Sequence, residues 1–189
     1  MPEPPSKVQS LMRDFRPDWF IAGGWAIDLF LGRVTRKHAD IEIAIFRKDQ
    51  LALQNYLRDW NLQKAGGGKL SEWKKHEYLE LPIHEIHCFN ETAELSCLEV
   101  LLNECENGVW RFRRDRRITK PVTELYLTND AGLRFLCPEV ILLYKSKNPR
   151  AKDEKDFRAV GGHLSAKSKK WLKDALLICA RQHHWLQDL

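Results

Sequence analysis

A glycine pair and an acidic strand, separated by one predicted helix, restrict this chain more than any other feature. Gly23 and Gly24 follow an apolar run at residues 19–22 and precede a helical stretch. Asp40 and Glu42 then occupy alternate positions of a predicted strand. Alternate side chains of a strand lie on one face, so the two carboxylates should project together while the isoleucines between them enter a core.

This order of residues predicts a site for a metal ion and a nucleotide. Neighbouring carboxylates repel each other, and a bound cation relieves that repulsion. Carboxylate oxygens suit Mg²⁺, which is commonly held by one or two protein carboxylates and substrate phosphates. Gly23 and Gly24 allow close approach of a ligand, and the helix that they open offers free N–H groups to phosphate. We therefore expect Mg²⁺ at Asp40 and Glu42, and a triphosphate at Gly23 and Gly24.

The segments Gly23–Asp28 and Leu31–His38, followed by Asp40-Ile41-Glu42-Ile43, resemble the nucleotidyltransferase superfamily, which has a DNA polymerase beta-like fold. They are most similar to small bacterial aminoglycoside and lincosamide nucleotidyltransferases. The rest of the chain agrees in layout only, and Glu42 stands where that group usually has Asp. The resemblance implies transfer of a nucleoside monophosphate, with AMP from ATP favoured, to a hydroxyl group of a small molecule such as an aminoglycoside-like antibiotic.

The resemblance also implies a third carboxylate, because nucleotidyl transfer with two metal ions normally uses three. In the antibiotic nucleotidyltransferases it stands at the start of a strand that leads to a turn and an aromatic residue. Glu99 has that position, since Asn107-Gly108 and Trp110 follow its strand. We expect Glu99 to bind metal or to act as the general base. Glu85 is the alternative, and His84 and His87 are expected to be ordinary edge-strand histidines.

Basic residues on either side of the core are candidates for the triphosphate. Arg36, Lys37 and His38 lie just before the acidic strand, where a cation would offset charge on the leaving pyrophosphate, and Lys37 is the preferred candidate. Lys145 and Lys152 occur later, and Lys152-Asp153-x-x-Asp156 resembles an element found after the core of many small nucleotidyltransferases. Asp153 would serve equally well as a cap of the helix that follows.

The predicted fold class is α/β (α+β), with a nucleotidyltransferase-fold mixed sheet flanked by helices and a C-terminal helical region. We expect a core domain over residues 1–136 and a helical cap over 137–189. The predicted helices are 6–15, 24–31, 48–60, 139–144, 153–160 and 167–181. The predicted strands are 19–22, 40–46, 78–82, 85–89, 97–105 and 109–114, with a further strand or hairpin over 124–136 and a loop at 66–68.

Composition limits the remaining possibilities. There is no apolar run near 18 residues and the N-terminus lacks the features of a signal peptide, so a cytoplasmic protein without a membrane span is expected. The five cysteines form no C-x-x-C pair and should be reduced core thiols. A net charge of +5 favours a polyanionic partner such as a triphosphate, with nucleic acid possible but not favoured.

Two other functions stay open at this point. One is a nucleotidyltransferase toxin that modifies RNA or protein, and the other is a catalytically degenerate protein that only binds nucleotides. The acceptor is also open, because a site for polycationic aminoglycosides should be acidic. The candidate acids for such a site are Glu72, Glu77, Glu80, Glu85 and Glu104.

Overall fold

The computed structural model of the protein describes residues 3–189. Its α-helices are α1 (Glu3–Leu11), α2 (Gly23–Leu31), α3 (Gln50–Tyr56), α4 (Pro138–Lys145), α5 (Ala151–Gly161) and α6 (Ala166–Cys179). Its strands are β1 (Trp19–Ile21), β2 (Glu42–Phe46), β3 (Asn61–Gly66), β4 (Lys69–Glu72), β5 (Glu85–Phe89), β6 (Cys97–Glu106), β7 (Val109–Arg111), β8 (Thr119–Pro121), β9 (Tyr126–Thr128) and β10 (Arg134–Leu136). Short 3-10 helices occupy Arg47–Asp49, Val122–Glu124 and His184–Gln187.

The strands form a mixed sheet in the order β4-β3-β5-β6-β2-β1-β10-β9, and β7 and β8 continue from β6. The pairs β2–β6 and β1–β10 are parallel, and the other pairs are antiparallel. In the central parallel pair, Glu42 lies opposite Glu99. The sheet therefore brings together two acidic residues that are far apart in the sequence.

The helix α2 lies between the sheet and the C-terminal helices. Its residues from Gly24 to Asp28 are buried, and it contacts β2, β10, α4 and α5. Gly32 ends the helix in the left-handed conformation, with φ of 67°. Because α2 is buried on several sides, its N-terminus is held firmly above the edge of the sheet where β2 begins.

The predicted strand over residues 78–82 is wrong. This segment lies in a loop, where Gln50 and Arg47 supply hydrogen bonds that a neighbouring strand would otherwise provide. The Leu79 N–H donates to Gln50 Oε1 at 2.7 Å, and Arg47 Nη1 donates to the Leu79 carbonyl at 2.8 Å. Side chains thus satisfy this backbone, which local sequence patterns do not reveal.

The glycine loop at 66–68 was expected, but its flanking strands β3 and β4 were missed. They form an antiparallel hairpin in which every residue of β4 is exposed. Exposed polar strands lack the alternation on which strand prediction depends. The predicted helix over 48–60 is also shorter, because a 3-10 turn precedes α3 and α3 ends at Tyr56.

Several other expectations are confirmed. Asn107 and Gly108, with φ of 51° and 73°, form the turn between β6 and β7. The segment 124–136 contains the β9–β10 hairpin, and three helices follow it. The boundary between core and cap at residue 136 stays a prediction. Within residues 3–189, no helix has the length and apolar character needed to span a bilayer.

The cysteines were expected in the core, and only part of that expectation is correct. All five are free, and Cys88 and Cys137 are buried. Cys179 is exposed at the end of α6, so it is not a core thiol.

Candidate active site

A cavity of about 370 Å³ opens where the N-terminus of α2 meets the edge of the sheet and the helices α4 and α5. Asp40, Glu42 and Glu99 line it, together with Gly23 and Gly24. The structure therefore brings the predicted glycines and all three predicted carboxylates to one cavity. Their roles in chemistry stay predictions.

The strand pairing explains how the carboxylates converge. Glu42 begins β2 and lies directly beside Glu99 in the parallel neighbour β6. The N–H of Glu99 donates to the Ile41 carbonyl at 3.0 Å, which continues the pairing one residue before the strand. Asp40 lies in the preceding loop, where its carbonyl accepts a hydrogen bond from the Trp25 indole at 3.1 Å. The backbone that carries both acids is thus fixed by α2 and by β6.

The electrostatics of these acids fit a cation. Burial, followed by the charges of Asp40 and Glu99, raises the pKa of Glu42 to about 7. Burial also raises the pKa of Glu99, an effect that His87 opposes and Asp40 reinforces. Asp40, Glu42 and Glu99 supply only oxygen donors, which is the donor chemistry that Mg²⁺ prefers, although their donor atoms do not all lie within 4.8 Å of one another. The residues present therefore fit a hard divalent cation.

Gly23 has a specific role in this arrangement. Its φ is +58°, and a β-carbon built on it would lie 1.4 Å from Glu42 Oε2. The carboxylate of Glu42 thus occupies the space that any other residue would fill. At Gly24, a β-carbon would lie 2.4 Å from Arg36 Nη2 and 2.5 Å from His38 Nδ1. Both glycines are required by close approach at the start of α2.

Asp28 holds the loop between α2 and β2, a role that sequence reasoning missed. Its Oδ1 accepts hydrogen bonds from the Thr35 N–H at 3.1 Å and from the Thr35 hydroxyl at 2.5 Å. Its Oδ2 lies 2.6 Å from His38 Nε2, and the His38 ring lies against Trp25 with centroids 4.4 Å apart. Asp28 therefore positions the segment that ends at Asp40. Its place in the glycine-helix motif was the only available signal.

A second network joins this loop to α5. Asp156 is buried and accepts hydrogen bonds from Arg36 Nε and Nη2 at 3.0 and 3.1 Å. Lys145 Nζ lies 2.9 Å from Asp156 Oδ2 and 2.8 Å from Asp153 Oδ1. Burial alone would raise the pKa of Asp153, but hydrogen bonds from Lys145 and Arg150 outweigh it and hold the pKa at about 2.

The predicted basic residues fall in different places. Lys145 and Lys152 line the cavity. Lys37 is exposed and is not among the residues that line it, whereas its neighbour Arg36 is. Asp153 also accepts a hydrogen bond from the Arg150 N–H at 3.0 Å, which agrees with the expected cap of α5.

The alternative carboxylate, Glu85, also lines the cavity. Its Oε1 lies 2.7 Å from His87 Nε2, and His87 Nδ1 lies 3.7 Å from Glu99 Oε1. One donor atom from each of these three residues lies within 4.8 Å of the others, so the group could hold a metal ion. His87 was expected on an edge strand, which is wrong, because β5 pairs with both β3 and β6.

The cavity also has a basic wall that sequence reasoning missed. It is formed by His84, Arg113 and Arg114 beside the ring of Tyr144 on α4. Of the five acids considered for aminoglycoside binding, only Glu85 is among the described residues that line the cavity. Glu104 instead pairs with Arg47 at 2.6 Å, and Glu77 pairs with Lys64.

This fold is that of nucleotidyltransferases. Solved structures of the antibiotic-resistance factor ANT(2'')-Ia are similar, one a solution structure (19% identity, TM-score 0.59, covering 95% of this chain and 93% of that chain). The other is a crystal structure with adenylyl-2''-tobramycin (16% identity, TM-score 0.60, covering 93% and 96%). The lincomycin-bound lincosamide antibiotic adenylyltransferase LnuA is also similar (16% identity, TM-score 0.57, covering 81% and 91%).

The family model for aminoglycoside-2''-adenylyltransferase matches residues 6–128, which extend from α1 to the end of β9. The chain belongs to the aminoglycoside-2''-adenylyltransferase family. It is thus an enzyme of the nucleotidyltransferase class, as the resemblance of its glycine and acidic segments implied. A search of curated protein sequences finds no match.

Proposed function

We propose that this protein is a Mg²⁺-dependent adenylyltransferase that transfers AMP from ATP to a hydroxyl group of a small molecule of the antibiotic type. The observation that carries the proposal is the convergence of Asp40, Glu42 and Glu99 beside Gly23 at the start of α2. Family membership supports the reaction class. The ligands of the similar structures, adenylyl-2''-tobramycin and lincomycin, support a hydroxylated antibiotic as acceptor.

Asp40 and Glu42, with Glu99, would hold the metal. Bound Mg²⁺ supplies charge neutralisation for the triphosphate and lowers the pKa of an attacking hydroxyl. The free N–H groups at the start of α2 bind the phosphates, because this end of a helix carries positive partial charge. Lys145 and Lys152 add positive charge where the pyrophosphate leaves. Both lysines act on the electrostatics of Glu42, which supports their place beside the metal carboxylates.

The reaction joins the acceptor oxygen to the α-phosphorus of ATP and breaks the bond from that phosphorus to the bridging oxygen. Pyrophosphate leaves with the electron pair of the broken bond. The hydroxyl proton passes to a cavity carboxylate, Glu99 or Glu85. Catalysis of this kind depends mainly on positioning and on electrostatic stabilisation of the transferred group.

An assay of pyrophosphate release tests the proposal. The wild-type protein is incubated with MgATP and a panel of hydroxylated antibiotics, and products are identified by mass spectrometry. We expect an adenylylated product that disappears with EDTA and falls by several orders of magnitude in Asp40→Asn, which should remain folded. Turnover in Asp40→Asn close to that of wild type would refute the assignment. An adenylylated RNA or protein in place of a small product would move the function to a macromolecular acceptor.

A further inference from the structure

The basic wall of the cavity contains two arginines that have no carboxylate partner. Arg113 and Arg114 lie in the turn between β7 and β8 and line the cavity. Within residues 3–189, neither forms an ion pair with Asp or Glu, and the hydrogen bond found for Arg114 runs from Nη1 to the Tyr144 carbonyl at 2.8 Å. Most other arginines near the site are paired, as Arg36 is with Asp156 and Arg47 with Glu104.

Aromatic rings, and not acids, hold these two arginines in place. The Cζ atoms of Arg113 and Arg114 lie 5.7 and 5.6 Å from the centre of the Tyr144 ring. Arg114 also lies 5.7 Å from the centre of the Phe112 ring. Contacts of this kind position a guanidinium group through its charge and leave most of its N–H donors unused. The donors are therefore available to a ligand in the cavity.

The charges of the two arginines act on other groups of the cavity than those of the lysines. The lysines whose charges act on Glu42 are Lys145 and Lys152, and Lys152 also acts on Glu99. Arg113 and Arg114 instead act on His84 and Tyr144, and Glu85 acts on Arg113. Burial and the charge of Arg114 lower the pKa of Arg113, and the charge of Glu85 opposes this only in part, so two like charges are held close together.

Chemical complementarity indicates what such a wall binds. A guanidinium group matches a carboxylate or phosphate with two parallel hydrogen bonds, and a pair of them favours an anion strongly. A polycation would meet repulsion there, and four of the five acids that could have attracted one lie outside the cavity lining. The carboxylates that remain are committed to the metal, to His87 or to Lys145.

We propose that the acceptor of this enzyme carries an anionic group, a carboxylate or a phosphate, which Arg113 and Arg114 bind while its hydroxyl faces the metal carboxylates. This inference rests on the proposed function and specifies its substrate class. It separates this chain from an enzyme for polycationic aminoglycosides, although the chain belongs to that family.

Calorimetric titration tests the proposal in two arms. In the first, a Mg²⁺ complex of a non-hydrolysable ATP analogue is titrated into the wild type and into R113Q/R114Q. In the second, inorganic phosphate and tobramycin are titrated separately into protein already saturated with the analogue. The control is R116Q/R117Q, because these arginines lie in the same turn, are exposed and do not line the cavity. R113K/R114K keeps the charge without the planar fork, and thermal melting checks that each variant is folded.

We expect phosphate to bind the analogue-saturated wild type and the control equally, and R113Q/R114Q at least tenfold more weakly. R113K/R114K should be intermediate, tobramycin should not bind, and analogue affinity should change less than twofold in every variant. A large loss of analogue affinity in R113Q/R114Q would assign the arginines to the nucleotide and overturn the proposal. The proposal would also be overturned by phosphate affinity that is the same in the wild type and R113Q/R114Q, or by an absence of phosphate binding. Tight binding of tobramycin would overturn it as well.

Failure of the proposed function gives a different result. In that case the analogue itself does not bind the wild type in the presence of Mg²⁺. Phosphate is then titrated into the protein without the analogue. Phosphate binding that is weaker in R113Q/R114Q than in R116Q/R117Q would support an anion site at Arg113 and Arg114. Equal phosphate binding in the two variants would refute it.

Discussion

A single missing β-carbon decides where the carboxylate of Glu42 lies. Gly23 has a positive φ and leaves the space that Glu42 Oε2 occupies. Gly67, in the β3–β4 turn, has the same φ of +58°, but a β-carbon there would meet nothing within 4 Å. The two glycines therefore share a backbone conformation that would strain any residue with a β-carbon, and they differ in their neighbours, which makes them a matched pair.

Gly23→Ala should reduce the affinity for a Mg²⁺–nucleotide complex at least tenfold, because the new methyl group displaces the Glu42 carboxylate. Gly67→Ala should leave that affinity unchanged. Both substitutions should lower the free energy of unfolding by about 1–2 kcal/mol, the usual cost of a left-handed conformation for a residue with a β-carbon. Calorimetry and urea unfolding measure the two quantities. Equal nucleotide affinities in the two variants would show that the contact with Glu42 is unimportant.

Glu42 should also make the metal-free protein less stable at high pH. The pKa of Glu42 is about 7 when folded and 4.5 in its ordinary state, so the folded protein holds this proton more tightly than the unfolded chain. The resulting stabilisation is fully present below pH 4.5 and is lost as the pH rises through 7. Glu42→Gln does not titrate, so it should exceed the wild type in stability at pH 8 by up to about 3 kcal/mol and little at pH 4.

Urea unfolding with EDTA at both pH values measures this difference. The control is Glu94→Gln, since Glu94 is an exposed acid outside the cavity. Its effect should be small and nearly independent of pH. A stability gain for Glu42→Gln that is the same at pH 4 and pH 8 would contradict the assigned cause.

At the scale of elements, the loop between α2 and β2 depends on a partner far along the chain. Asp156 on α5 binds Arg36 from this loop and Lys145 from α4, and its side chain is 2% exposed. Removing one partner from a buried ion pair leaves the other charges without compensation, which commonly lowers stability by about 3–5 kcal/mol. The network thus connects the C-terminal helices to the loop that precedes Asp40.

Asp156→Asn should therefore lower the free energy of unfolding by roughly 3–5 kcal/mol and weaken nucleotide binding. The matched control is Asp174→Asn on α6, where the Lys170–Asp174 pair has a distance of 2.7 Å but is exposed. That exposed pair should contribute at most about 0.5 kcal/mol. Thermal and urea unfolding of both variants, followed by calorimetry, provide the comparison. Similar small effects for both would show that the buried network contributes little.

Sequence reasoning located the site residues that lie close together along the chain. Without the family resemblance, it did not locate those that only the folded structure brings together. Gly23, Asp40 and Glu42 belong to one strand–helix–strand unit, so local patterns were sufficient to place them together. Glu99 depends on the pairing of β2 with β6, and the family resemblance supplied it. Arg113 reaches the cavity only because the β7–β8 turn lies against α4. Nothing in its own neighbourhood of sequence predicts that position.

At the scale of the whole molecule, the cavity is assembled from segments that lie throughout the chain. Arg36 and Asp156 are separated by 120 positions, and the match to the family model ends before α4, which supplies Tyr144 and Lys145. The part that the family model matches therefore contains the three carboxylates proposed to bind metal. The C-terminal helices complete the walls of the cavity in which we propose that the triphosphate and the acceptor bind.

The central claim is that Asp40, Glu42 and Glu99 form one metal site that holds a nucleoside triphosphate. The most direct test is calorimetric titration of a non-hydrolysable ATP analogue into the wild type and Asp40→Asn, each with Mg²⁺ and with EDTA. We predict binding only in the wild type with Mg²⁺, and at least a hundredfold loss in Asp40→Asn with an unchanged melting temperature. Analogue binding that persists in EDTA, or that is equal in Asp40→Asn, would contradict the account.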